Sequence, residues 1–198
     1  MKRIIKKSDS EIIKKSLNYK TNADNSELRK ILLKEQKNFC AYTEEYIGYN
    51  DANDVEHFNP NLKDTKEDTY LNWFNIKHKP NNVKRSNWVE PILHPTSLDF
   101  EERIIYHEGM YLHKPNDIEA KNLIDLLKLN EEIFVKDRIR YINRRKERIS
   151  ERKINPEEYF DEKIKKGIVM PISNMVLLPG MVHILRLNRM GAEQLEIF

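Results

Sequence analysis

Val55-Glu56-His57-Phe58-Asn59-Pro60, followed by Tyr70-Leu71-Asn72-Trp73-Phe74 and then by Asn81-Asn82-Val83-Lys84, is the stretch whose reading decides the fold. From Cys40 to Asn75 the apolar residues come in short pieces without helical period. Gly48, Asn50, Asn53, Asn59 and Pro60 interrupt them, a punctuation that predicts strands and loops. His57 and Asn72 lie 15 positions apart, and Asn72 and Asn81 lie 9 apart. A β-hairpin followed by a short helix brings three such positions together. The strand end then holds the histidine, the connecting segment the middle asparagine, and the helix start the last polar residue.

Outward from this stretch, helix starts are marked by capping pairs. Asp24 with Glu27, Asn116 with Glu119, and Asn155 with Pro156 and Glu158 each place an acceptor at an N-cap and a carboxylate at N3. The first of these helices shows Leu28, Ile31 and Leu32 on one face and is predicted to run to about Lys37, after an amphipathic stretch from Ser10 to Tyr19. Met1-Lys2-Arg3-Ile4-Ile5-Lys6-Lys7 reads as an edge strand or a surface arm. Residues 103–107 and 110–113 flank Glu108-Gly109 and predict a tight hairpin. The helix after Asn116 carries enough apolar surface to pack centrally. The next, roughly Glu131 to Lys153, displays a basic stripe that includes Arg144, Arg145 and Arg148. Past Gly167 an apolar segment, a Pro179-Gly180 break and a last helix over Met181 to Met190 are expected. The sum is an α+β chain, a ββα core embedded in a mainly helical single domain. Residues 1–38 form an arm and helices, 39–100 the core, and 101–198 a hairpin and helical region packed on it.

The 198-residue length suits one domain with a real interior. A 39% hydrophobic and 34% charged composition, with aromatic and β-branched residues spread along the chain, argues for a folded core under a very polar surface. With 35 basic and 32 acidic residues the net charge of +3 says little, and distribution matters more. One cysteine, Cys40, excludes an internal disulfide framework; with no export signal and no apolar run of membrane length in view, the expected compartment is the cytoplasm, away from membranes.

The residue types in the deciding stretch suit one chemistry. Hydrolysis of a phosphodiester needs an activated water, neutralisation of the phosphoryl oxygens and help for the departing alkoxide. A histidine titrates near neutrality, so His57 is suited to take the proton from water. The Glu56 carboxylate and the Asn81 carbonyl are hard oxygen donors suited to Mg²⁺ or Mn²⁺.

From Phe39 to about Trp88 the chain resembles the HNH endonuclease family. It is most similar to the small bacterial HNH proteins encoded beside ATPases in antiphage systems of the Septu and retron-associated kinds. Pro91-Ile92-Leu93-His94-Pro95-Thr96, the later hairpin and residues 126–130 extend the resemblance to about Ile142. It implies a ββα-metal fold, with Glu56 as metal ligand, His57 as general base, Asn72 ordering the loop that positions it, and Asn81 completing the metal site, with Asn82 as the alternative ligand. It also implies contact of Lys84 and Arg85 with phosphates, DNA as substrate, and an ATPase subunit as partner. Arg144, Arg145 and Arg148 add a backbone-contacting surface whose binding would be salt-sensitive and independent of sequence.

One departure from the family concerns its structural zinc, which two Cys-x-x-Cys pairs hold in many members. Here those positions are Cys40 with Thr43 and Lys77 with Pro80, so no structural zinc is expected, and packing of Phe39, Tyr42, Tyr46, Trp73 and Phe74 is expected to replace it. That departure keeps a second reading open, a catalytically weak HNH fold serving as a nucleic-acid-binding or structural subunit of an ATPase complex. His78, His94, His107 and His113 are read as surface or turn residues, and Cys40 as a buried small hydrophobe.

Overall fold

The computed structural model describes residues 1–78, 84–155 and Tyr159. They form a mixed α+β fold with two antiparallel two-stranded sheets and, among the described residues, five helices. The chain divides into two compact units, Met1–Lys136 and Asp137–Phe198.

In the first unit the order is α1 (Glu11–Lys14), α2 (Ser26–Glu35), β1 (Asn53–His57), β2 (Trp73–Lys77), α3 (Phe100–Arg103), β3 (Ile104–His107), β4 (Met110–His113) and α4 (Ile118–Leu126). A longer helix, α5 (Glu132–Arg152), begins there and ends in the second unit. The strand β1 pairs with β2 in the register Asn53↔Lys77 through His57↔Trp73, so the hairpin predicted around His57 is present. Its two strands are joined by residues 58–72, which include single 3₁₀ turns at Pro60–Leu62 and Tyr70–Asn72.

Four successive residues of β2, Trp73 to Ile76, are buried, which a strand shows when both of its faces are covered. Side chains alternate between faces, and the two cores divide accordingly. Trp73 packs with Ile12, Leu28, Leu32 and Tyr70, whereas Phe74 and Ile76 join Tyr42, Phe58, Leu93, Phe100 and Leu123. Each large side chain buried in this way contributes roughly 1.5–3 kcal/mol. Between them Asn75, also buried, is clipped to the end of α2: Gln36 Oε1 accepts its N–H at 2.8 Å and Gln36 Nε2 donates to its carbonyl at 2.7 Å. The second hairpin, β3–β4, turns at Glu108 (φ 44°) and Gly109 (φ 87°), the paired positive dihedrals of a two-residue hairpin turn. The arm before α1 is not paired as a strand, and Ile4 N–H donates to the Pro95 carbonyl at 2.9 Å.

Helix starts shift by a residue or two from their expected positions. Asp24 does not cap α2 with Glu27 at N3; its carboxylate accepts from Ser26 N–H at 2.8 Å, and Glu27 reaches out to Lys15. Asn116 adopts φ 62°, which is incompatible with an N-cap, and Asp117 takes that place, accepting from Ala120 N–H at 3.0 Å. The helix predicted from Ser10 to Tyr19 is one turn only, because Ser16 turns left-handed at φ 50° and Ile12 alone is buried in it.

In the second unit, Ile142 and Ile149 are buried positions of α5, and Arg144 and Arg148 are exposed. The helix start expected at Pro156 and Glu158 and the apolar segment past Gly167 lie outside the described residues. Among the described residues no helix is long and apolar enough to cross a membrane.

Candidate active site

Glu56 and His57 are the last two residues of β1, and both side chains are buried although the strand's first three residues are only half-buried. Adjacent strand residues project to opposite faces, so the two acquire different surroundings.

His57 meets the segment that joins the strands. Its Nε2 lies 3.0 Å from Asp68 Oδ2, with side-chain exposures of 8% and 6%. The contact is at hydrogen-bond distance but oblique to the ring N–H direction. Tyr19 stands edge-on to the imidazole, 4.4 Å between ring centroids. Burial pushes the His57 pKa down, and Asp68 works against that shift.

Asn72 organises the same corner. Its Oδ1 accepts from Asn59 N–H at 2.7 Å, and its Nδ2 donates to the Asn59 carbonyl at 3.1 Å and to Asp68 Oδ1 at 2.9 Å. Phe58 N–H donates to the Asn72 carbonyl at 2.8 Å, so the chain just after His57 is pinned on three sides to one asparagine. Trp73 Nε1 donates to Asp68 Oδ1 at 2.7 Å. Asp68 therefore gathers the indole, the asparagine amide and the imidazole around one carboxylate.

Glu56 faces Lys84 instead. Lys84 Nζ lies 2.7 Å from Glu56 Oε1 and donates to the His57 carbonyl at 3.1 Å, with no exposure of the lysine side chain. Burial raises the Glu56 pKa, and Lys84 pulls it back. The carboxylate and the carbonyl thus already share a buried cation.

The arrangement brings His57 and Asn72 together through Asp68, and Glu56 together with Lys84. The residues expected to complete a metal site, Asn81 and its alternative Asn82, lie outside the described residues. Among the described residues, no group of three or more His, Cys, Asp or Glu is arranged to hold a metal ion. Lys84, expected to approach a phosphate, is held inside, while Arg85 is exposed. Arg145 donates to the Tyr159 and Tyr141 hydroxyls at 2.7 and 3.0 Å, leaving Arg144 and Arg148 as the exposed pair of the three expected arginines. His94 packs against Phe58 at 4.8 Å between ring centroids, and burial lowers its pKa to about 4.

Of the four positions expected in place of zinc ligands, Cys40, Thr43 and Lys77 are described and Pro80 lies outside the described residues. Lys77 N–H donates to Cys40 Sγ at 3.4 Å, Thr43 is buried nearby in sequence, and Lys77 Nζ lies 3.4 Å from Glu45 and 3.5 Å from Asp51. Burial pushes the Cys40 thiol pKa up. Phe39, Tyr42, Trp73 and Phe74 are buried, Trp73 in the separate core with Ile12 and Leu28, and Tyr46 is 49% exposed, edge-on to Phe39.

Asp68 and the Glu56–Lys84 pair were not legible as such in the sequence. Asp68 belongs to an exposed charged run, and its one signal is position: it precedes Asn72 and Trp73, whose buried N–H groups require an acceptor. No family model matches the chain, and neither the curated proteins nor the solved structures contain a match to it.

Proposed function

We propose that this protein is an HNH endonuclease with a ββα-metal core, hydrolysing phosphodiester bonds in DNA. The observation that carries the reading is the corner at the end of β1. A buried histidine and carboxylate sit side by side in sequence, and Asn72 makes three side-chain hydrogen bonds to Asn59 and Asp68 in the segment that follows. In this reading His57 takes the proton from the attacking water and Asn72 fixes the backbone on which His57 stands.

Glu56, with Asn81 or Asn82, would hold Mg²⁺ or Mn²⁺. The donor chemistry fits: Glu56 and the His57 carbonyl already surround a cation, the Lys84 ammonium, with hard oxygens. A divalent ion bound there supplies neutralisation of the phosphoryl charge. For Glu56 to ligate a metal, Lys84 must release it, and an ammonium so released is available to a phosphate oxygen. Arg85, Arg144 and Arg148 supply exposed positive charge for the nucleic-acid backbone. The resemblance to antiphage HNH proteins supports a role as the nuclease effector of a defence system, in company with an ATPase subunit.

The experiment is metal-dependent cleavage of plasmid DNA by wild-type protein and His57→Ala. Loss of cleavage in a variant with unaltered circular dichroism is expected, and undiminished Mg²⁺-dependent cleavage by His57→Ala would falsify the mechanism. The Glu56–Lys84 ion pair specifically favours one other reading, in which the lysine stands permanently in the cation's place and the fold serves as a nucleic-acid-binding or structural subunit. Wild-type protein that binds DNA yet neither cleaves it nor takes up Mg²⁺ or Mn²⁺ would establish that alternative.

A further inference from the structure

We infer that Asp68 is the positioning residue that fixes the tautomer of His57, an inference that rests on the nuclease reading above for its consequence but not for its geometry. An ionised carboxylate only accepts hydrogen bonds. Of its two oxygens, Oδ1 is taken by the Trp73 indole N–H at 2.7 Å and the Asn72 amide at 2.9 Å. Oδ2 lies 3.0 Å from His57 Nε2, oblique to the ring N–H direction, and is the acceptor oxygen set against that nitrogen. The imidazole nitrogen that faces an acceptor carries the proton, which leaves Nδ1 as the basic nitrogen. Asp68 is held in turn by two donors that have no other way to face it. Trp73 is paired opposite His57 in the β1–β2 register, and Asn72 is fixed by its bonds to Asn59. The carboxylate cannot rotate without abandoning both. The support behind the histidine is therefore assembled from the hairpin itself, with one member in the connecting segment.

The arrangement makes Asp68→Asn informative. An asparagine has one accepting oxygen and one donating nitrogen. The indole and the Asn72 amide both demand the oxygen, so the new NH₂ is turned toward His57 Nε2. That nitrogen must then accept, and the proton moves to Nδ1. The variant keeps the shape of the corner and the Trp73 and Asn72 hydrogen bonds but presents the wrong nitrogen to water.

Two measurements test this on the whole protein. Nitrogen-15 NMR of the histidine side chains, with the His57 signals identified by their absence from His57→Ala, reports which ring nitrogen is protonated. The expected result is an Nε2–H tautomer in the wild type and an Nδ1–H tautomer in Asp68→Asn. Cleavage of a DNA duplex with Mg²⁺ should then show kcat lower on the order of 10²–10⁴-fold, the usual worth of a general base, with KM unchanged. A purely structural role would shift the melting temperature and leave the tautomer alone. An unmoved tautomer, or an unmoved kcat in Asp68→Asn beside an inactive His57→Ala, overturns the inference and leaves the nuclease reading standing. Full activity of His57→Ala overturns the nuclease reading and the catalytic consequence together, while the nitrogen shifts still decide whether Asp68 sets the ring.

Discussion

Replacing Lys84 by methionine removes the ammonium from beside Glu56 and keeps most of the buried stem. The pair is not a surface ion pair worth a few tenths of a kcal/mol, because the side chains are 0% and 7% exposed. Removing one partner of a buried pair typically costs about 3–5 kcal/mol, since the other charge is left without compensation. Here the cost has a ceiling, because Glu56 can take up a proton instead. From a reference pKa of 4.5, at 1.36 kcal/mol per pH unit, neutralising it costs about 3 kcal/mol at pH 7 and under about 1 kcal/mol at pH 5. Burial already raises the Glu56 pKa, and Lys84 opposes that rise, so its loss drives the pKa further up. A carboxyl whose folded pKa is raised binds more protons in the folded state. Stability is therefore lost as pH climbs from about 4.5 through the folded value, and the deficit of Lys84→Met should shrink steadily toward acid. Urea denaturation of both proteins between pH 5 and 8 measures it. Adding Glu56→Gln to Lys84→Met should flatten the profile. A deficit independent of pH, or none, would refute the reasoning. Under the nuclease reading Mg²⁺ should also restore part of the lost stability to Lys84→Met, by about 2.7 kcal/mol at a hundredfold excess over its Kd.

Two other perturbations test the surroundings of the site. Lys6 donates to the Trp73 carbonyl and lies 4.3 Å from the centroids of the Tyr70 and Phe74 rings, and burial lowers its pKa to about 7. A lysine with a lowered folded pKa makes wild-type stability rise with pH from about 7 to 10.5, by about 5 kcal/mol in all. Lys6→Met should abolish that rise and melt higher than wild type below pH 7, and a pH-melting profile of unchanged slope would contradict the burial argument. On α5, the exposed pair Arg144 and Arg148 changed together to alanine should weaken DNA binding evenly across sequences and lower the slope of log K against log salt by about 2; equal slopes would remove this helix from the interface.

How far the sequence was legible follows from the range of the interactions involved. The β1–β2 hairpin, the Glu108-Gly109 turn and the long basic helix rest on local pattern, and all three are present. The Asn72 hydrogen bonds to Asn59 form across a short segment that the hairpin closes. Helix starts moved because neighbouring residues compete for the cap, and at Asn116 a left-handed backbone decided for Asp117. The partners of the buried charges were not legible. Asp68 looks like any member of a solvated charged run, and only the placement of an indole and an amide beside it makes it an acceptor. Lys84 looks like a phosphate ligand, and only the depth of Glu56 draws it inward.

That depth bears on whether the corner is structural or functional. Glu56, His57, Asp68 and Lys84 place four ionisable side chains, none more than 8% exposed, at the end of a five-residue strand. Buried ion pairs of this kind contribute little net stability, and apolar residues of similar volume usually do as well or better. The neighbouring positions of the same hairpin use that cheaper solution, with Trp73, Phe74 and Ile76 filling both cores. The corner keeps one such ion pair, Glu56 with Lys84, and beside it an imidazole whose pKa burial lowers, facing the Asp68 carboxylate. The two pairs are also unlike in kind. His57 with Asp68 suits proton transfer, whereas Glu56 with Lys84 suits the exchange of one cation for another. Under the nuclease reading proposed above, the first pair would serve the general base and the second the metal site, both at one strand end.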